Sequence, residues 1–171
     1  DSYYANEKHC HGIIVSAMGG FTDLLIKISE NRSASSLHTS IEYKSIMERV
    51  FLISNELLDE EESKKYIQLV TDDFIKIQNI LDLAYDNDKV QIQNQSNIIA
   101  GFGELWSAQL LNKYLNKLLD SNKSTFVDSR KTLFLSEKNI GDGINWIKSK
   151  DKFNSLITSS HSNIYVVTGF I

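Results

Sequence analysis

The chain alternates short apolar runs with long stretches of three-and-four spacing, and this pattern predicts an α/β protein. Ile13, Ile14 and Val15 are continuous and β-branched, which predicts a strand over 12–17 covered on both faces. The strand empties into Met18-Gly19-Gly20. Thr22 and Asp23 then stand where an N-cap or first-turn residue belongs, ahead of Leu24, Leu25 and Ile28 in a helix over 22–31. After a polar break at 31–36, the helical period runs through 41–58 and 62–85 with no strand between, and Asp59-Glu60-Glu61-Glu62 marks a solvated helix start. A charged, turn-like break at 85–89 precedes a helix over 97–119, whose apolar stripe is Ile98, Phe102, Leu105, Ala108, Leu111, Leu115 and Leu118. A strand at 124–128, a short strand near 132–135, a helix over 140–150 and a final strand at 163–168 complete the reading. Strands separated by helices imply a largely parallel sheet with flanking helices. The pair at 41–85 reads as an αα insertion on one side of it, a cap over the substrate side.

Composition narrows the class. Of 171 residues, 42% are apolar and 23% charged, so one ordinary globular domain with a useful core is expected, with no internal boundary over 1–171. The net charge of −4, with lysines scattered singly, argues against a nucleic-acid or anionic-membrane partner, either of which needs a basic face. No apolar run approaches the roughly 20 residues of a membrane span. The first residues have neither signal nor transit character. Cys10 is the single cysteine, which suits a reducing compartment and forbids an internal disulfide. His9-Cys10-His11 could be drawn as metal ligands, but neighbours along a strand point to opposite faces, so no metal site is expected there.

Two places carry candidate chemistry. Gly19 and Gly20 let the backbone turn tightly, and the helix behind them presents free N–H groups and a positive dipole end suited to phosphate or carboxylate. Glu104 projects beside the stripe of its helix, and its neighbours at three and four residues are Ala100, Gly101, Ser107 and Ala108. A carboxylate ringed by small residues leaves room for something else against it. Asp128 and Thr168 follow strands, and in open α/β sheets ligands bind at the carboxyl ends of strands. Ser16, Asp128 and Thr168 are therefore expected along one edge, with Glu104 facing it.

Four segments, in order, resemble the catalytic domain of aspartate kinases, within the amino acid kinase family. They are Val15-Ser-Ala-Met-Gly-Gly-Phe-Thr-Asp23, Gly101-Phe-Gly-Glu-Leu-Trp-Ser-Ala-Gln109, Val127-Asp-Ser-Arg130 and Val167-Thr-Gly-Phe-Ile171. The segment from Gly101 to Gln109 is most similar to the bifunctional aspartokinase–homoserine dehydrogenases. The resemblance implies an amino acid kinase-like sheet with flanking helices, incomplete at both ends. It implies ATP-dependent phosphorylation of the L-aspartate side chain, with Mg²⁺ held mainly by the nucleotide phosphates, the first step toward lysine, threonine and methionine. Ser16 and Thr22 would hydrogen-bond the amino acid, Glu104 would pair with its ammonium, Phe170 would line the pocket, and Gly19 and Gly20 would lie near the transferring phosphate. The family's Lys-Phe-Gly-Gly strand and its Gly-Arg-Gly-Gly-Ser-Asp-like segment are not among these residues. Its catalytic lysine therefore lies outside the chain, and this piece alone is expected to be inactive. A full-length homo-oligomer in the cytoplasm, or in a plastid if the source is photosynthetic, is also implied.

Plainer roles stay open beside these. Ser16 could satisfy a strand end, Thr22 could cap a helix, and Glu104 could bridge to another segment. Phe170 could be core, and Asp128 and Arg130 could pair structurally. Trp106 and Trp146 read as core or interface aromatics. Another amino acid kinase-fold enzyme, acting on glutamate or carbamate, and a non-catalytic module keeping the acceptor pocket are the competing readings.

Overall fold

The computed structural model describes residues 10–31, 37–83, 89–119, 123–135, 143–160 and 162–169, with backbone alone at 89–92. Three parallel strands form the sheet: β1 (His11–Val15), β2 (Ser124–Val127) and β3 (Ile164–Thr168), in the order β1-β3-β2. Ile14 pairs in register with Val167, and Phe126 with Val166. Central β3 buries Tyr165 and Val166, whereas edge strand β1 leaves Ile14 75% exposed. The expectation of a first strand covered on both faces is thus corrected: its apolar run is that of an edge with one open face.

Among the described residues, five α-helices accompany the sheet. After β1 the chain turns at Gly20, whose φ of 79° is left-handed, and enters α1 (Phe21–Glu30). Asp23 lies in the first turn of α1, and Thr22 precedes it, so neither is the cap. Helix α2 (Ile41–Leu57) is capped by Ser40, whose hydroxyl accepts from the Tyr43 N–H. Helix α3 (Glu60–Asp82) is capped by Asp59, with Glu60, Glu61 and Glu62 at the positive end of its dipole. Helix α4 (Lys89–Leu118) lies on all three strands and on α1, while α2 and α3 pack onto α1, α4 and each other, one layer removed from the sheet. Helix α5 (Trp146–Ser159) meets the sheet where Phe153 approaches Tyr165.

The core sits among α1–α4. Phe21, Leu25, Ile46, Val50, Tyr66, Phe74, Ile99 and Trp106 are fully buried there. Trp106 contacts Phe21, Phe74 and Phe102 and is fixed at both ends. Its indole N–H donates to Asp73 Oδ2 at 2.9 Å, and its carbonyl accepts from the Tyr66 hydroxyl at 3.0 Å. Lys76 neutralises the other oxygen of Asp73 at 2.6 Å. Burial, with the Asp73 charge adding to it, pushes the Tyr66 phenol well above its ordinary range and keeps it a donor. Two asparagines of α4 hold the start of β2: Asn116 exchanges both amide bonds with the backbone of Ser124, and Asn112 accepts from its hydroxyl.

Other boundaries differ from the sequence reading for identifiable reasons. No strand forms over 132–135. Asp128 instead caps a 3-10 turn at Ser129–Lys131, and Leu135 makes only an isolated bridge to Ile144. The helix expected over 140–150 starts at Trp146, because Asn145 caps it and Gly143, at φ 142°, is incompatible with helix. In α4, Ile98 and Leu118 are exposed by half or more, while Ile99, Trp106 and Leu110 are buried instead. Trp106 is core, but Trp146 is 69% exposed.

Candidate functional site

The site is assembled where β1 and β3 end. Ser16 follows β1 directly, and its hydroxyl donates to Glu104 Oε1 of α4 at 3.4 Å, a long contact for a hydroxyl. Gly169 follows β3, extends the ladder by donating to the Val15 carbonyl at 3.0 Å, and brings its bare Cα against the same carboxylate. A Cβ there would stand 3.2 Å from Glu104 Oε2 and 3.1 Å from the Val15 carbonyl oxygen. Glycine is what lets the two strand ends and the carboxylate share this space.

Glu104 reaches the strand ends because the middle of α4 comes close to the turn between β1 and α1. A Cβ on Gly103 would lie 3.0 Å from Ala17 Cβ, 3.4 Å from Leu25 Cδ1 and 3.6 Å from Phe21 Cβ. Two residues later Trp106 locks the same turn of helix into the core. The carboxylate is therefore mounted on a rigid element and half-buried rather than carried on a loop.

The glycine turn forms the other wall. Gly19 has open space where a Cβ would stand. Gly20 occupies the N-cap position of α1 with no side-chain cap, so the first turn of the helix keeps donors facing outward. Thr22 is exposed on that turn. Arg49, reaching in from α2, lays its guanidinium over the Phe21 ring, 4.7 Å from the centroid, with Nη1 3.5 Å from where a Gly20 Cβ would be.

At the end of β2, Asp128 takes two hydrogen bonds from the Arg130 guanidinium, at 2.9 and 2.8 Å, and a third from the Arg130 N–H. Burial works to raise its pKa, but these bonds and the charges of Arg130 and Lys131 outweigh it and hold the carboxyl below its usual range. Ser129 bonds to Thr168 through both N–H and hydroxyl, tying the ends of β2 and β3 together. Asp128 and Thr168 are thus engaged in structural pairing along the edge.

Of the residues singled out in the sequence, Ser16 and Glu104 meet, Gly19, Gly20 and Thr22 line the adjoining turn, and Phe170 lies outside the described residues. Arg49 and Gly169 were not singled out. The pairing of Gly169 with the Val15 carbonyl follows once β1 and β3 are neighbours, but no local pattern marks Arg49. Among the described residues no group of three or more His, Cys, Asp or Glu is placed to hold a metal ion. No helix among them is long and apolar enough to cross a membrane.

The arrangement of a small parallel sheet with α4 laid across it matches the fold of a solved aspartokinase. The chain superposes on the crystal structure of E. coli aspartokinase III in complex with aspartate and ADP with a TM-score of 0.64 and 15% identity, over 94% of this chain and 34% of that one. In sequence it is similar to the chloroplastic bifunctional aspartokinase/homoserine dehydrogenase of Daucus carota, 24% identical over 160 residues. It is likewise similar to bifunctional aspartokinase/homoserine dehydrogenase 1 of Arabidopsis thaliana, also chloroplastic, at 27% over 164 residues. Each alignment takes in 93% of this chain and 17% of the relative, so the chain spans about one-sixth of the length of these proteins. No protein-family model matches it.

Proposed function

We propose that the protein carrying this chain transfers the terminal phosphoryl group of ATP to the side-chain carboxylate of L-aspartate, giving 4-phospho-L-aspartate, and that residues 1–171 supply the acceptor half of that site. The observation carrying this reading is the Ser16–Glu104 pair at the joined ends of β1 and β3, with Gly169 pressed against the carboxylate. The likeness to aspartokinases supports it.

The chemistry asks little of a base. A carboxylate acceptor is already ionised at neutral pH, since a free aspartate side chain has a pKa of about 3.9. The work is to hold two anions in line and to offset the charge between them. Glu104 takes the ammonium of the amino acid, and Ser16 and Thr22 offer hydroxyls beside it. By the likeness to aspartokinases, Phe170 would line the acceptor pocket. The open space at Gly19 and the uncapped first turn of α1 fit a phosphate approaching the backbone, so Gly19 and Gly20 would border the transferring group. Magnesium, carried on the nucleotide phosphates, would supply the neutralising charge. This first step toward lysine, threonine and methionine would be completed by parts of the protein outside this chain.

Replacing Glu104 by Gln in the full-length protein is the test. Loss of a charge-assisted hydrogen bond costs about 1.5–3 kcal/mol. At 1.36 kcal/mol per tenfold, kcat/KM for aspartate is expected to fall at least about ten- to a hundredfold, with little change in KM for ATP. Unchanged aspartate kinetics with a lowered Tm would make Glu104 a structural acid and overturn the reading.

A further inference from the structure

Gly103 stands where a helix has little intrinsic reason to place glycine. Only proline disfavours a helix interior more, yet Gly103 is buried inside α4, on the turn that carries Glu104 and Trp106. Its surroundings supply the reason. A Cβ at 103 would stand 3.0 Å from Ala17 Cβ, inside the separation of about 3.5–4.0 Å at which carbon atoms rest against each other. Leu25 Cδ1, at 3.4 Å, can give way by turning its side chain, and Phe21 Cβ, at 3.6 Å, is in ordinary contact. The Ala17 methyl has no rotamer to change, and neither would an alanine at 103. Only a backbone shift relieves that contact.

The contact lies one residue from the site on both sides. Ala17 follows Ser16, and Gly103 precedes Glu104; the Ser16 hydroxyl and the Glu104 carboxylate meet at 3.4 Å, already long for a hydrogen bond. The helix side is anchored, since Trp106 is held by Asp73 and Tyr66 of α3. The turn side is lighter, with Ser16, Gly19 and Gly20 exposed. Widening the 17–103 contact to an ordinary separation therefore displaces the turn and carries Ser16 out of reach of Glu104. We propose that Gly103 is a positioning residue for the acceptor site: its missing side chain and the Ala17 methyl form one fitted contact that sets how closely Glu104 is held to the strand ends. This rests on the acceptor-site reading above and adds to it the pair of residues that fixes the distance. Binding constellations tolerate only about 0.5 Å of displacement, so a shift of a few tenths of an ångström at this contact is felt.

Steady-state kinetics of the full-length protein, with L-aspartate and ATP varied in turn, test the fit by moving one methyl across the contact. Gly103→Ala is expected to raise KM for L-aspartate about tenfold and to leave KM for ATP within about twofold of wild type. Placed in an Ala17→Gly background, the same substitution is expected to raise KM for L-aspartate by less than about threefold, because the opposing methyl is gone. Circular dichroism checks that each variant is folded. Should Gly103→Ala not fold, Ala17→Val fills the same gap from the turn side and is expected to show the same selectivity for the L-aspartate KM. A folded Gly103→Ala with wild-type KM for L-aspartate overturns the proposal. So does an equal rise with and without the Ala17 methyl, or a rise shared equally by ATP, which would mark a general loosening; for Ala17→Val, an unchanged L-aspartate KM or one shared with ATP does the same. Glu104→Gln, measured alongside, separates the two failures: if it impairs L-aspartate kinetics while Gly103→Ala does not, the positioning role alone falls, and if it has no effect, the acceptor-site reading falls and the proposal with it.

Discussion

The two halves of the molecule are built to different standards. Among α1–α4, large side chains such as Phe21, Leu25, Tyr66 and Phe74 are fully buried together with Trp106, whose indole and carbonyl are both hydrogen-bonded. The sheet is thin by comparison: three short strands, one edge with Ile14 turned to solvent, and a last helix, α5, in which Ser149 is the buried residue. Stability is concentrated in the helices, while the candidate site lies at the seam where they meet the strand ends. Glu104 belongs to both, since it grows from the locked turn of α4 and points at the ends of β1 and β3. A rigid mount holding a charged group over a lighter frame is what positioning chemistry requires.

This contrast is easiest to break at its strong end. Trp106→Ala removes the largest buried side chain and strands the Asp73 carboxylate, so unfolding in urea should show a loss of about 3–5 kcal/mol. A loss under about 1 kcal/mol would mean that the helical layer does not carry the fold. An intermediate effect is expected at the seam. Asp128→Asn keeps the cap on Arg130 but weakens the paired bonds to its guanidinium; because Arg130 is nearly half exposed, the cost is put at about 1–2 kcal/mol. Its pH dependence has a definite sign. The folded carboxyl is held below its unfolded value of about 3.9, so its contribution is complete above that value and lost as pH falls through the lower folded pKa. The difference between wild type and Asp128→Asn should therefore shrink below about pH 4. The smallest effect on stability is expected at the weak end. Ile14→Lys should change unfolding free energy by no more than about 0.5 kcal/mol, yet reduce self-association of the isolated 171 residues in sedimentation velocity, because an edge charge opposes strand-to-strand contact.

The same contrast explains what the sequence revealed. Strand, glycine turn and α1 are legible because Ile13 to Val15, Gly19-Gly20 and Leu24 to Ile28 each carry a local periodicity, and the sheet is parallel as the alternation of elements implies. The 97–119 stripe is legible in its middle, where Phe102, Leu105 and Ala108 are buried, and misleading at its ends, where Ile98 and Leu118 are exposed and Ile99 is buried in place of Ile98. Boundaries failed where a single residue outweighs the period: Asn145 as a cap, Gly143 as a helix breaker, Asp128 as the anchor of a 3-10 turn. Arg49 could not be read because its place depends on α2 packing against α1. Along the chain Glu48-Arg49 is ordinary helix surface, and only the tertiary arrangement puts the guanidinium over Phe21.

The register of the sheet also orders events in time. His11 pairs with Ile164 and Val15 with Thr168, so β1 waits for partners that the ribosome delivers about 150 residues later. Closing so long a loop costs about 4 kcal/mol of chain entropy on the logarithmic estimate, and nothing within the sheet offsets it until β3 arrives. Helices α1–α4 need no such wait, since the aromatic rings and the side chains hydrogen-bonded to Trp106 lie between residues 21 and 106. Synthesis therefore favours a helical nucleus that holds Glu104 in place first, with the wall formed by Gly169 added when β3 docks between the two strands already made.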